Sequence, residues 1–170
     1  CRVVLLDFTG QGFAVGSNPH GFEEFSVYCE GMGDAMNAVW QMLEMPPEDH
    51  YISVICDDVM LATSDVVKLL ALARLHNLSA IQPAVALNHE LSREYGFLRQ
   101  RPCVSMHRVP FVEMMAPFMR RDLWDLVLPF NRGKGSGYGL DRFALTTCGA
   151  HLNAWRFAAA DCAPMTHIRR

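Results

Sequence analysis

The stretch Tyr51-Ile52-Ser53-Val54-Ile55-Cys56-Asp57-Asp58 decides how this chain is read. A continuous apolar run rich in β-branched residues predicts a strand over 51–56, ended by two carboxylates. Downstream, helical spacing predicts a helix over 65–76, capped by Thr63 or Ser64, with Val66, Leu69, Leu70, Ala73 and Leu75 as its buried stripe. Residues 80–86 read as the next strand, and Pro83 places it near an edge or a bulge. Upstream, Asp34 is expected to cap a helix reaching about Met45. That helix buries Met36, Val39, Trp40 and Leu43 before Pro46-Pro47 stops it. Residues 2–7 and 25–29 read as further strands around a glycine-rich loop at 9–21. This order of strands and helices predicts an α/β fold with a mainly parallel central sheet.

The second half is less regular. Residues 88–108 form a long polar connection, 110–119 an apolar extended stretch and 121–128 a short helix. Four glycines fall within 131–139. A helix is expected at 140–150 and a last strand at 155–161. No internal repeat or linker interrupts the chain, so one domain over 1–170 is expected.

Composition narrows the function classes. Hydrophobic residues are 51% and charged residues 19% of 170, which excludes a disordered tail, a collagen and a coiled coil. A net charge of −3 leaves no broad basic face for a nucleic acid. No apolar run reaches the roughly 18–20 residues of a membrane span. The six cysteines are scattered without a C-x-x-C pair, which fits buried free thiols in a reducing, cytoplasmic setting. The seven histidines include no H-x-x-x-H pair, so a zinc enzyme of that type is excluded. Lys134 sits among glycines without the Walker spacing, and no G-x-G-x-x-G follows a strand.

In an open parallel sheet, ligands bind beyond the carboxyl ends of the strands. Asp7, Glu30 and Asp57-Asp58 fall at such ends. Adjacent carboxylates after a buried run repel each other, and a hard divalent cation such as Mg²⁺ or Mn²⁺ removes that penalty.

Residues 51–58 resemble the acidic "DxD" element of glycosyltransferases with the GT-A fold. Gly31-Met32-Gly33-Asp34-Ala35-Met36-Asn37 is similar to the helix start beside the nucleotide-sugar in that fold. Phe111-Val112-Glu113-Met114-Met115-Ala116-Pro117 and Gly137-Tyr138-Gly139-Leu140-Asp141 resemble the "FVE-x-MAP" and "GWGLD" motifs of a largely uncharacterised plant and bacterial family with a glycosyltransferase-like domain. The tail Asp161-Cys162-Ala163-Pro164-Met165-Thr166-His167 is similar to its closing "VD…V-x-H". The resemblance covers roughly 25–168, in order.

The resemblance implies a single GT-A-like, Rossmann-like domain that lacks its usual first strand and helix. It also implies a metal-dependent, inverting transfer of a sugar from a nucleoside diphosphate sugar to an acceptor hydroxyl. Asp58 and His167 are its implied metal ligands, and Mn²⁺ or Mg²⁺ its cofactor. Asp7, Gly33, Asp34, Asn37 and Asp57 are implied on the donor side, and Glu113 and Tyr138 on the acceptor side. Asp141 is the implied general base. Cys56 stands where the family reads an acidic residue, which leaves an inactive binding protein or a nucleotidyltransferase as rival readings.

Overall fold

The computed structural model describes residues 4–7, 11, 21–42, 44, 46–87, 95–129 and 156–168. The chain divides into two units. One is Cys1–Glu44 with Leu128–Tyr138; the other is Met45–Val127 with Gly139–Arg170.

In the first unit, β1 (Val4–Asp7) pairs in parallel with β2 (Glu23–Ser26). The second strand therefore starts and ends earlier than the expected 25–29. Helix α1 (Met32–Met42) opens with the Ala35 amide donating to the Gly31 carbonyl at 3.1 Å. Asp34 is not its cap. It lies inside the first turn, and its Oδ2 accepts the Glu30 amide at 3.0 Å, holding the chain entry from within the helix. A carboxylate there also complements the positive end of the helix dipole. The buried face consists of Gly33, Ala35, Met36 and Ala38, and Cys29, Leu6 and Val27 pack on it. Small residues let neighbours approach closely, so Val39 and Trp40 remain half-buried where burial was expected. Leu43 lies outside the described residues.

The second unit is built on a six-stranded sheet. Its strands are β3 (Tyr51–Ser53), β4 (Val59–Met60), β5 (Ala80–Val85), β6 (His107–Arg108), β7 (Phe118–Arg120) and β8 (Phe157–His167). Their order is β3-β7-β5-β8-β4, with β6 also paired to β8. The sheet is mixed rather than mainly parallel. β5 pairs in parallel with β8, whereas β3 with β7, β7 with β5, β8 with β4 and β8 with β6 are antiparallel. Strands β3, β5 and β8, the ones legible in the sequence, do run the same way. The short β4, β6 and β7 are too brief for a period-2 pattern, and they fill the remaining places in the opposite direction.

Strand β5 is buried along its whole length. Pro83 is therefore central, not at an edge, but the expected bulge is present, because the register with β8 shifts between Pro83 and Val85. The pairing of β5 with β7 stops at Ile81, so the missing N–H of Pro83 interrupts no ladder on that side.

Helix α2 (Thr63–Leu75) starts after Ala62, and neither Thr63 nor Ser64 caps it. Leu69 and Ala73 are buried against Leu78, Ile81, Phe118, Ala158, Ala160 and Ala163, with Val66 and Leu70 packed on that cluster. Leu75 is 77% exposed, contrary to the expected stripe. It stands two residues beyond Ala73, roughly 200° around the helix. Asn77 follows the helix in the left-handed region, φ 46°, and its side chain accepts a hydrogen bond from Arg120 at 2.6 Å. Helix α3 (Arg121–Val127) buries Leu123, Trp124 and Val127. Among the described residues no helix is long and apolar enough to cross a membrane.

Candidate functional site

The chain leaving β3 is pinned when the Cys56 amide donates to the Met115 carbonyl at 3.1 Å. The Val59 amide then donates back to the Cys56 carbonyl at 3.1 Å, which closes a turn with Asp57 and Asp58 at its two central positions. Asp favours such positions because its short side chain tolerates the bend. Strand β4 emerges from this turn and pairs with the end of β8, Val59 opposite His167 and Met60 opposite Thr166. The Ile168 amide extends the ladder by donating to the Asp58 carbonyl at 2.6 Å.

This register brings two distant parts of the sequence together. His167 Nε2 lies 3.1 Å from Asp58 Oδ2, and the two side chains are 21% and 32% exposed. Asp58 Oδ1 is buried without a hydrogen-bond partner. A carboxylate oxygen in that position is costly unless a further donor or a cation approaches it. Carboxylate oxygen and imidazole nitrogen together form a donor set that Mn²⁺ accepts, so these two residues fit the implied cation. Among the described residues, no three His, Cys, Asp or Glu side chains gather closely enough to hold a metal by themselves.

Cys56 reports the surrounding field. Burial, followed by the nearby charges of Asp58, Glu113 and Asp57, pushes its thiol up to about 11. The group therefore stays a neutral thiol at pH 7, a poor ligand for a hard cation. Glu113 is half-buried in the chain that follows β6. Its amide donates to Gln82 Oε1, and its Oε2 accepts the Met115 amide at 2.7 Å. Part of its carboxylate thus braces its own backbone beside the Cys56 anchor.

Gly33, Asp34 and Asn37 all lie on α1, with Gly33 buried, and Asp7 is the last residue of β1. These four belong to the first unit, whereas Asp57, Asp58, Glu113 and His167 belong to the second. Tyr138 and Asp141 lie outside the described residues. The cysteines are more varied than expected: Cys29 is buried and Cys56 half-buried, but Cys103 and Cys162 are exposed, and Cys1 and Cys148 lie outside the described residues.

A second histidine–carboxylate pair escaped the sequence reading. His107 falls in the stretch 88–108 expected to be a polar connection, yet it lies in β6 and is buried, with its Nδ1 2.7 Å from Asp161 Oδ2 and its Nε2 2.7 Å from the Phe97 carbonyl. The signal was present in Ala158-Ala159-Ala160-Asp161. A carboxylate that interrupts a run of alanines in a buried strand requires a partner. Comparison of the sequence with protein-family models and with curated proteins finds no match.

Proposed function

We propose that this chain is a metal-dependent glycosyltransferase that moves a sugar from a nucleoside diphosphate sugar to an acceptor hydroxyl with inversion. The observation that carries the reading is the Asp58–His167 pair, where the turn before β4 meets the end of β8, with one carboxylate oxygen still unsatisfied. Asp58 and His167 are the residues that would hold Mn²⁺ or Mg²⁺. When bound, such a cation neutralises charge that grows on the leaving diphosphate.

The chain's own groups divide the remaining work. Asp57 adds negative charge beside the cation ligands. Asp7, Gly33, Asp34 and Asn37 are assigned to the donor, and Glu113 and Tyr138 to the acceptor. Asp141 takes the proton from the acceptor hydroxyl, whose oxygen bonds to the anomeric carbon. The bond from that carbon to the diphosphate oxygen breaks, and its electron pair leaves with the diphosphate. A neutral Cys56 thiol at the first acidic position favours one rival, a binding protein that retains the fold without turnover.

Donor hydrolysis and transfer assays with Mn²⁺ and a panel of nucleotide-sugars test the proposal. Release of a nucleoside diphosphate is expected; release of pyrophosphate identifies a nucleotidyltransferase instead. Asp141→Asn should lower transfer by roughly a hundredfold while leaving donor affinity and the melting temperature unchanged. Near-normal turnover of Asp141→Asn removes Asp141 as the base, and Glu113 is then the next residue to substitute.

A further inference from the structure

Strand β8 does two jobs along its length, and the change between them occurs at Asp161. Up to Ala160 the strand runs in parallel with β5 and antiparallel with β6, with Ala159 opposite His107. Pro83 of β5 pairs with Ala160, but Val85 pairs with Met165, so β8 carries extra residues across that interval. Beyond this bulge the strand resumes with the Ala86 amide donating to the Met165 carbonyl at 3.1 Å, and it then meets β4 at His167. Bulges of this kind bend a strand and re-aim the side chains that follow.

The bulge is tied at every turn to the segment 97–107. His107 Nδ1 and the Arg101 amide meet the two oxygens of Asp161, at 2.7 and 2.5 Å. Gln100 donates from Nε2 to the Asp161 carbonyl at 3.0 Å, and the Cys162 amide donates to the Ser105 carbonyl at 3.1 Å. His107 itself is held by the Phe97 carbonyl through Nε2. Asp161 and His107 are 0% and 5% exposed, so these bonds operate away from water, where they are strongest and least replaceable.

We infer that the buried His107–Asp161 pair is a positioning element for Asp58–His167: it fixes the β8 bulge, and the bulge sets where His167 meets β4. The inference rests on reading Asp58 and His167 as the cation site, and its structural half is measurable without a cation. Partners bonded directly to metal ligands typically change metal affinity by about ten- to hundredfold when altered, which sets the upper bound for a pair that acts through the strand.

The test uses the full chain. In wild-type protein, amide hydrogen exchange should show Arg101, bonded to Asp161, and Ile168, bonded to the Asp58 carbonyl, opening together with the same denaturant dependence. Asp161→Asn should lower protection at Ile168 by about tenfold and Mn²⁺ affinity by up to about ten- to hundredfold, while the amides of α2 keep their protection. His107→Gln, whose amide can still donate to Asp161, should keep most of the wild-type Mn²⁺ affinity. Independent opening of Ile168 and Arg101 in the wild type overturns the inference. So does an Asp161→Asn protein that retains both Ile168 protection and Mn²⁺ affinity within about twofold. If Asp161→Asn does not fold, the wild-type exchange decides. If wild-type protein binds no Mn²⁺, the cation reading falls and the exchange data alone judge the positioning role.

Discussion

Two histidine–carboxylate pairs share β8, and they differ in what surrounds them. His107–Asp161 is buried, and every oxygen and ring nitrogen of the pair has a partner. Asp58–His167 is half-exposed and leaves Asp58 Oδ1 unsatisfied. The same chemical groups thus serve opposite ends. A satisfied buried pair specifies how loop and strand meet and has no valence left for a ligand. A partly solvated pair with an orphaned oxygen contributes little to folding and retains the capacity to bind.

The largest expected effect tests the buried side of that contrast. Asp161→Ala leaves His107 buried beside no carboxylate and frees the Arg101 amide, a change expected to cost about 3–5 kcal/mol of unfolding free energy. Urea denaturation measures it, and a loss below about 1 kcal/mol would erase the distinction between the two pairs.

Asp58→Ala probes the other side. Nucleoside diphosphate affinity, measured by calorimetry, should lose its dependence on Mn²⁺, a change of at least about tenfold. Metal-free stability should move by no more than about 1 kcal/mol, because the lost pair is half-exposed. Equal affinity with cation and with chelator in the wild type would withdraw Asp58 from the site.

A smaller effect follows from Cys56. Its ordinary value of 9.0 is raised to about 11 in the folded chain, chiefly by burial. An acid held protonated by folding favours the native state until the unfolded form begins to ionise. Stability should therefore be unaffected by this group below pH 9 and fall as pH rises from 9 towards 11. Cys56→Ala should flatten that alkaline slope in a series of urea melts. A slope unchanged by the substitution would mean that folding does not hold the Cys56 thiol protonated, by burial or by the neighbouring carboxylates.

The legible parts of this fold are those in which many side chains repeat one message. The run at 51–56 declares a strand, although only Tyr51–Ser53 pairs as one, because the chain then turns to anchor Cys56 on Met115. Spacing identified α2 and its Leu69–Ala73 face, but placed Leu75 on the wrong side. Likewise, Asp34 was recognised as belonging to a helix start without its role there, since a carboxylate serves equally before the first turn or inside it. In the site, Asp58 and His167 were named together from a resemblance; their proximity is a matter of strand register that spacing does not encode.

The sequence by itself determined the α/β class, the three strands of the second unit that share a direction and the places of α1, α2 and α3, because burial imposes a local period on each. Only the tertiary structure decided that the sheet is mixed, since two- and three-residue strands take their direction from the neighbours they pair with. It also decided which histidine is sealed and which is left partly open to solvent. Both face an aspartate, and what separates them is the chain packed around each: the 97–107 loop closes over Asp161, whereas the turn at Asp57-Asp58 leaves one oxygen of Asp58 unclaimed.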